Sequence, residues 1–289
     1  MALQIPARLA ANCQREPATR AWLEHLSERI AELTARWGLR LGPAIDGEEL
    51  SCAWLAPAQR ADGTPAVLKL GMPHLEGEHE IEGLRFWAGS PTVRLLEAAP
   101  ELGALLLERC EPGTHLRALP ELEQDEQIAR LLPRLWLCPP PGHPFRHLSA
   151  MLRYWADAAR GRRAEWLDAT LVEEGLRGFE ELSRPAPSDV LLATDLHAGN
   201  VLRASREPWL VIDPKPFVGD RSYDATQHLL NCRARLQSRP RETLRGLADL
   251  LQLDAERLRL WTFARAAVES SRRSAHPEAA LLARALASG

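Results

Sequence analysis

Thr194-Asp195-Leu196-His197-Ala198-Gly199-Asn200, with Val211-Ile212-Asp213-Pro214 on the next apolar run, decides how the rest of the chain is read. An Asp and an Asn five positions apart, then a second Asp closing a strand-like run, place three oxygen-bearing side chains on loops and strand ends. Carboxylate and amide oxygens are the ligands that a hard cation such as Mg2+ prefers, and a carboxylate can accept a hydroxyl proton. Each signal is weak alone. Asp and Asn cap turns and helices for local reasons, a solitary His197 is more often a satisfied core histidine, and Asp213-Pro by itself merely ends a strand.

Working outward, the scarcest basic residue is the most telling. Of 36 Lys and Arg, only Lys69 and Lys215 are lysine. Lys69 follows the apolar run Pro65-Ala-Val-Leu, where a compact, strongly hydrated ammonium suits phosphate better than a planar guanidinium does. The stretch 75–88 has helical periodicity, and Glu80, four residues before Leu84, is the carboxylate best placed to orient that Lys, with Glu76 and Glu82 as competitors. Three strands are expected across 39–70, ending at Lys69, and two more at 92–98 and 104–109 around the turn at Glu101-Leu-Gly103. One helix is expected through Trp22, Leu26, Ile30, Leu33 and Trp37, closed by Gly38.

Glu111-Pro-Gly113 interrupts the pattern just after an apolar strand and marks a hinge. The domain boundaries that follow are 1–110 for a first lobe and 111–289 for a second. Helical periodicity dominates beyond the hinge, at 121–136, 147–183, 241–252 and 254–286, and only 190–194 and 209–212 read as strands. A chain of 289 residues is long for one core, so two lobes with a cleft between them are expected.

Composition narrows the function. With 45% hydrophobic and 26% charged residues the chain reads as globular, and no apolar run is long enough for a membrane span. The formal charge of -3 supplies no basic footprint for nucleic acid. Five cysteines without a Cys-x-x-Cys pair argue against both a disulfide framework and a structural zinc site. The N-terminus lacks a secretory pattern. A cytoplasmic protein with a small-molecule partner, present as a monomer or a dimer, is the expectation.

The order Lys69, Glu80, Asp195, Asn200, Asp213 is the order in which phosphoryl transfer uses such groups: phosphate holder, its orienting carboxylate, proton acceptor and two metal ligands. The residues therefore point to a phosphotransferase. Lys69 would hold nucleotide phosphates, Asp195 would take the acceptor's proton, and Asn200 and Asp213 would bind Mg2+.

Those segments, with Glu207-Pro-Trp209-Leu and Val218-Gly-Asp220, resemble the aminoglycoside phosphotransferases, in particular the branch of streptomycin 6-phosphotransferases and hydroxyurea-resistance kinases. Ala61-Asp-Gly63-Thr, Leu68-Lys69-Leu, Gly83-Leu-Arg85-Phe-Trp87, Val93-Arg-Leu-Leu96 and Leu105-Leu-Leu-Glu108-Arg109 extend the likeness over about residues 40 to 225. The resemblance implies an α+β, protein-kinase-like two-lobed fold, with a five-stranded antiparallel N-lobe sheet and a mainly helical C-lobe. It also implies ATP as donor, with GTP the alternative, and the adenine lying against the hinge at Glu108 to Cys110. Asp195, with His197 in its loop, would be catalytic, and Asp224 would brace that loop from the start of a helix.

The chain departs from the family pattern in three places. Ala193 stands where the family usually has His. The loop Ile45-Asp-Gly47-Glu-Glu-Leu-Ser51 is poor in glycine, leaving Ser51 as a candidate phosphate contact. Lys215 stands where an acidic residue can occur in streptomycin kinases. The expected acceptor is streptomycin or a related aminoglycoside, met by carboxylates such as Asp220, Glu269 or Asp157. The alternatives are a kinase of another sugar, cyclitol or small metabolite, and a nucleotide-binding pseudokinase without turnover.

Overall fold

The protein is described from a computed structural model covering residues 4–47 and 52–287. The chain falls into two compact units. The first runs to Gly113 and takes back Arg203–Leu210; the second comprises Thr114–Leu202 and everything from Val211 onward.

The first unit opens with three short helices, α1 (Ala7–Cys13), α2 (Pro17–Glu24) and α3 (Leu26–Arg36). The single helix expected around 22–37 is thus broken at His25, whose ring nitrogen binds the Ala21 carbonyl at 2.9 Å and competes with the helical ladder. The apolar stripe survives the break: Trp22, Leu26, Ile30 and Leu33 are all buried. Gly38 follows α3 with φ of 59°, a left-handed turn that a side chain would resist.

The strands are β1 (Arg40–Leu41), β2 (Ala53–Gln59), β3 (Pro65–Gly71), β4 (Leu95–Ala99) and β5 (Ala104–Glu108), with helix α4 (Glu80–Trp87) between β3 and β4. They form the expected five-stranded antiparallel sheet, in the order β1-β2-β3-β5-β4. Strand β3 runs two residues past Lys69, because residues 70 and 71 still pair with Trp54 and Ala53. Side chains alternate across a strand, and Ala66, Leu68 and Leu70 point into a core shared with Leu9, Cys13, Trp22, Leu26, Ile30 and Leu33. Lys69 therefore projects from the opposite face.

The second unit carries α5 (Glu121–Leu135), α6 (Leu148–Arg160) and α7 (Ala169–Leu182), and four strands of three residues each follow in the chain: β6 (Val190–Leu192), β7 (Val201–Arg203), β8 (Trp209–Val211) and β9 (Phe217–Gly219). Helices α8 (Arg221–Asn231), α9 (Arg233–Ser238), α10 (Pro240–Leu251), α11 (Ala255–Glu269) and α12 (His276–Ala287) complete it. Strands β6 and β9 pair antiparallel, and β7 pairs with β8. The expected strand 190–194 stops at Leu192 because the amides of Ala193 and Thr194 are diverted to a side chain. Strands β7 and β9 were not expected from sequence.

Close packing of α7 on α11 fixes the helical layer. A methyl group at Gly175 would stand 2.7 Å from the Cβ of Ala267 and 3.0 Å from the Ala264 carbonyl, and one at Gly178 would stand 2.9 Å from the Cβ of Ala264. A second tie joins α5, α8 and α9, where buried Asp125 accepts hydrogen bonds from His228 at 2.8 Å and from both terminal nitrogens of Arg235 at 2.6 and 2.7 Å. Cys232 stands beside that group, so an Asp–His–Cys cluster exists among the described residues. Arg235 already takes both carboxylate oxygens, which makes the cluster an ion-pair clamp. No described helix is long and apolar enough to cross a membrane.

Candidate active site

The first unit holds one buried ion pair among the candidate residues. Lys69 Nζ donates to both oxygens of Glu80, at 2.6 and 2.7 Å, and both residues are less than a tenth exposed. Strand alternation aims the ammonium, and Glu80 meets it from the first turn of α4. A carboxylate there also complements the helix N-terminus.

Glu108 ends β5, and its carboxylate is taken by Arg206, through Nε at 3.0 Å and a terminal nitrogen at 2.9 Å, and by the Arg94 amide at 3.0 Å. Burial pushes this carboxyl up, but those donors outweigh it and hold it below its ordinary value. Cys110 is buried, and desolvation, with the nearby Glu108 charge, raises its thiol to about 11, so it stays protonated at neutral pH. Ser51 lies outside the described residues.

The second unit gathers Asp195, Asn200 and Asp213 around one stitched loop. Asp224, wholly buried in the first turn of α8, accepts from the Ala193 amide at 3.1 Å, the Thr194 amide at 2.6 Å and the Trp136 indole at 3.0 Å. Desolvation raises its carboxyl to about 6 against the pull of those donors. Thr194 follows with φ of 48°, and its hydroxyl donates to the Lys215 carbonyl at 2.6 Å while the Lys215 amide donates to the Ala193 carbonyl at 2.8 Å. Asp213 also has a positive φ, 51°. Two non-glycine residues in this region mark backbone held by its surroundings rather than by preference.

The remaining ties run through the loop itself. The Asn200 side-chain nitrogen donates to the Asp195 carbonyl at 3.0 Å, and the Asn200 carbonyl accepts from the Ile212 amide at 2.9 Å, which keeps Asn200 beside the segment carrying Asp213. His197 uses Nδ1 to accept from the Gly199 amide at 3.1 Å, capping the short turn Ala198–Asn200. Burial pushes its imidazole below the usual value despite the nearby Asp195, which favours the neutral ring. The contact given to His197 is thus a brace within the loop.

Asp195 is held at both oxygens. Gln227 donates to Oδ1 at 2.7 Å, and Lys215 Nζ stands 3.7 Å from Oδ2 and 2.8 Å from Asp213 Oδ2. Lys215 is buried and bridges the two carboxylates. Gln227 was not anticipated, although a signal existed: it lies three residues after Asp224 and so shares its face of α8.

The carboxylates considered for a cationic acceptor are engaged elsewhere. Asp220 caps α8 through the Ser222 amide and accepts from Arg257 and from the Trp261 indole at 2.7 Å. Glu269 pairs with Arg233, and exposed Asp157 with Arg160.

The family model described as aminoglycoside/hydroxyurea antibiotic resistance kinase matches residues 44–276. A hydroxyurea phosphotransferase of Kitasatospora aureofaciens is 39% identical over 91% of this chain and 78% of its own length. A streptomycin 6-kinase of Streptomyces glaucescens is 35% identical over 98% of this chain and 97% of its own. Among solved structures, a Plasmodium vivax ethanolamine kinase superposes with a TM-score of 0.61 at 12% identity, covering 86% of this chain and 82% of that one. A spectinomycin phosphotransferase in complex with ADP and spectinomycin does so with a TM-score of 0.53 at 14% identity, covering 88% and 92%. At such low identity the structural likeness establishes the fold alone, that of protein-kinase-like small-molecule kinases.

Proposed function

The chain belongs to the aminoglycoside/hydroxyurea antibiotic resistance kinase family, and from that premise we propose that it is an ATP- and Mg2+-dependent O-phosphotransferase acting on a small hydroxylated molecule. The observation that carries this reading is the carboxylate pair Asp195 and Asp213 bridged by Lys215, on a loop that also fixes Asn200. Phosphoryl transfer needs little covalent chemistry from a protein; it needs positioned groups and neutralised phosphate charge.

Each residue takes one part of that task. Asp195 accepts the proton of the acceptor hydroxyl. Asp213 and Asn200 hold the magnesium; the Asn200 nitrogen is committed to the Asp195 carbonyl, so its amide oxygen is the atom offered to a hard cation. Bound Mg2+ supplies charge neutralisation at the phosphate oxygens. Lys69 grips the nucleotide's phosphates while Glu80 sets the direction of its ammonium. Backbone groups from Glu108 to Cys110 receive the adenine, with the Glu108 side chain held aside by Arg206. His197 keeps the loop in shape. ATP is the donor, with GTP the alternative; no nucleic-acid partner is part of this reading.

Streptomycin was the acceptor expected from sequence. One observation favours a smaller neutral acceptor of the hydroxyurea kind: Asp220, Glu269 and Asp157, the carboxylates expected to meet a polycationic aminocyclitol, each already have an arginine partner.

The test is phosphoryl transfer by the purified protein from γ-labelled ATP with Mg2+ to hydroxyurea, streptomycin and a panel of sugars and cyclitols. Transfer to hydroxyurea with a higher kcat/KM than to streptomycin is expected. Transfer to streptomycin alone restores the aminoglycoside reading, and transfer to a simple sugar alone moves the acceptor class. No transfer to any of them leaves a nucleotide-binding pseudokinase and overturns the proposal.

A further inference from the structure

The carboxylate assigned as proton acceptor does not stand alone. Gln227, on α8, donates its side-chain nitrogen to Asp195 Oδ1 at 2.7 Å. The other end of the same amide is engaged as well: Arg265, on α11, donates to Gln227 Oε1. The guanidinium is itself fixed. It donates to Thr226 Oγ1 at 2.6 Å and lies over the rings of Tyr223, at 4.8 Å, and Trp155, at 5.9 Å.

An amide can present either its oxygen or its nitrogen, and the wrong end would set a lone pair against Asp195. A guanidinium carries donors only, so Arg265 admits only the Gln227 oxygen on its side and thereby turns the nitrogen toward Asp195. The arrangement also keeps a second positive charge one residue away from the carboxylate. A neutral amide fixes the carboxylate's direction without adding that charge to it.

Resting on the phosphotransferase reading above, we infer that Gln227 is a positioning residue for Asp195 and that Arg265 sets the orientation of its amide. The work is geometric: Gln227 and Lys215 each address one carboxylate oxygen, so the lone pair that meets an acceptor hydroxyl has a fixed direction. A misplacement of about 1 Å at a reacting group costs on the order of 100-fold in rate.

The kinetic test compares Gln227→Leu, Arg265→Leu and Arg265→Lys with the unaltered protein, using Mg2+ and ATP and whichever of hydroxyurea or streptomycin is phosphorylated. Gln227→Leu should lower kcat by about 10- to 100-fold while KM for ATP changes by less than about threefold. Arg265→Leu should lower kcat by about tenfold, and Arg265→Lys, which keeps a donor, should recover most of it. An unchanged kcat in Gln227→Leu, or a loss confined to KM, overturns the inference.

A second measurement needs no acceptor. The side-chain amide of Gln227, assigned by its disappearance in Gln227→Leu, is followed by 1H–15N NMR in the unaltered protein and in Asp195→Ala. The hydrogen-bonded amide proton should move to the position of an unbonded amide in Asp195→Ala. A signal that stays in place overturns the inference. If no acceptor is phosphorylated, the function proposed above fails while this amide signal still decides the role of Gln227.

Discussion

Lys69 in the first unit reaches its carboxylate with one strand and one helix: alternation along β3 aims the ammonium, and Glu80 on α4 meets it at 2.6 Å. Asp195 in the second unit rests on four other residues. Asp224 pins the two residues before it, Lys215 and Asn200 tie the loop to the strand end at Asp213, and Gln227 reaches it from α8. A single ion pair can be set by periodicity. A carboxylate whose direction matters needs a scaffold, including two non-glycine residues at positive φ. The first arrangement should fail by losing its partner, the second by losing its shape.

The largest effect expected is on the metal side. Removing divalent cations with EDTA should reduce phosphoryl transfer to background, and adding excess Mg2+ should restore it; transfer that persists in EDTA would break the assignment of Asn200 and Asp213. Next is Lys69→Met, which leaves Glu80 buried beside an apolar side chain. Breaking a buried pair in this way costs about 3–5 kcal/mol, measurable by urea denaturation. Adding Glu80→Gln should return most of that stability without returning nucleotide affinity, separating the pair's structural part from its role on phosphate.

Asp224 sharpens the contrast through pH. Its carboxyl is raised to about 6 in the folded protein, against about 4 when unfolded. The folded state therefore holds a proton that the unfolded state has released between those values. The stability this contributes is complete below about pH 4 and is lost as pH rises through about 6, a change of about 2–3 kcal/mol. Asp224→Asn should flatten that part of the stability curve, read as Tm or urea midpoint from pH 4 to pH 7. The smallest effect belongs to the packing beneath the scaffold. Gly175→Ala forces a methyl group against Ala267 and should cost about 1–3 kcal/mol, visible as a lowered urea midpoint.

What could be read from sequence follows the same divide. The five-stranded sheet, the position of Lys69 and its approach by Glu80 were legible because they depend on period-2 and helical spacing between Arg40 and Glu108. The Asp195, Asn200 and Asp213 set was legible as a pattern of residue types. Gln227 and Arg265 were not, since they come from helices 32 and more residues downstream and no local periodicity refers to the loop they serve. A carboxylate partner for Lys215 was conceivable from its charge, but that it bridges Asp195 and Asp213 together appears only in the structure. His25 broke an expected helix through a side-chain bond to the backbone that apolar spacing does not register.

The most direct test of the account is Asp195→Ala, followed in parallel by calorimetric titration with Mg2+ and ATP and by 31P NMR with hydroxyurea or streptomycin as acceptor. The account predicts nucleotide affinity within a few-fold of the unaltered protein and no phosphorylated acceptor. Phosphorylated acceptor appearing at the unaltered rate would contradict it.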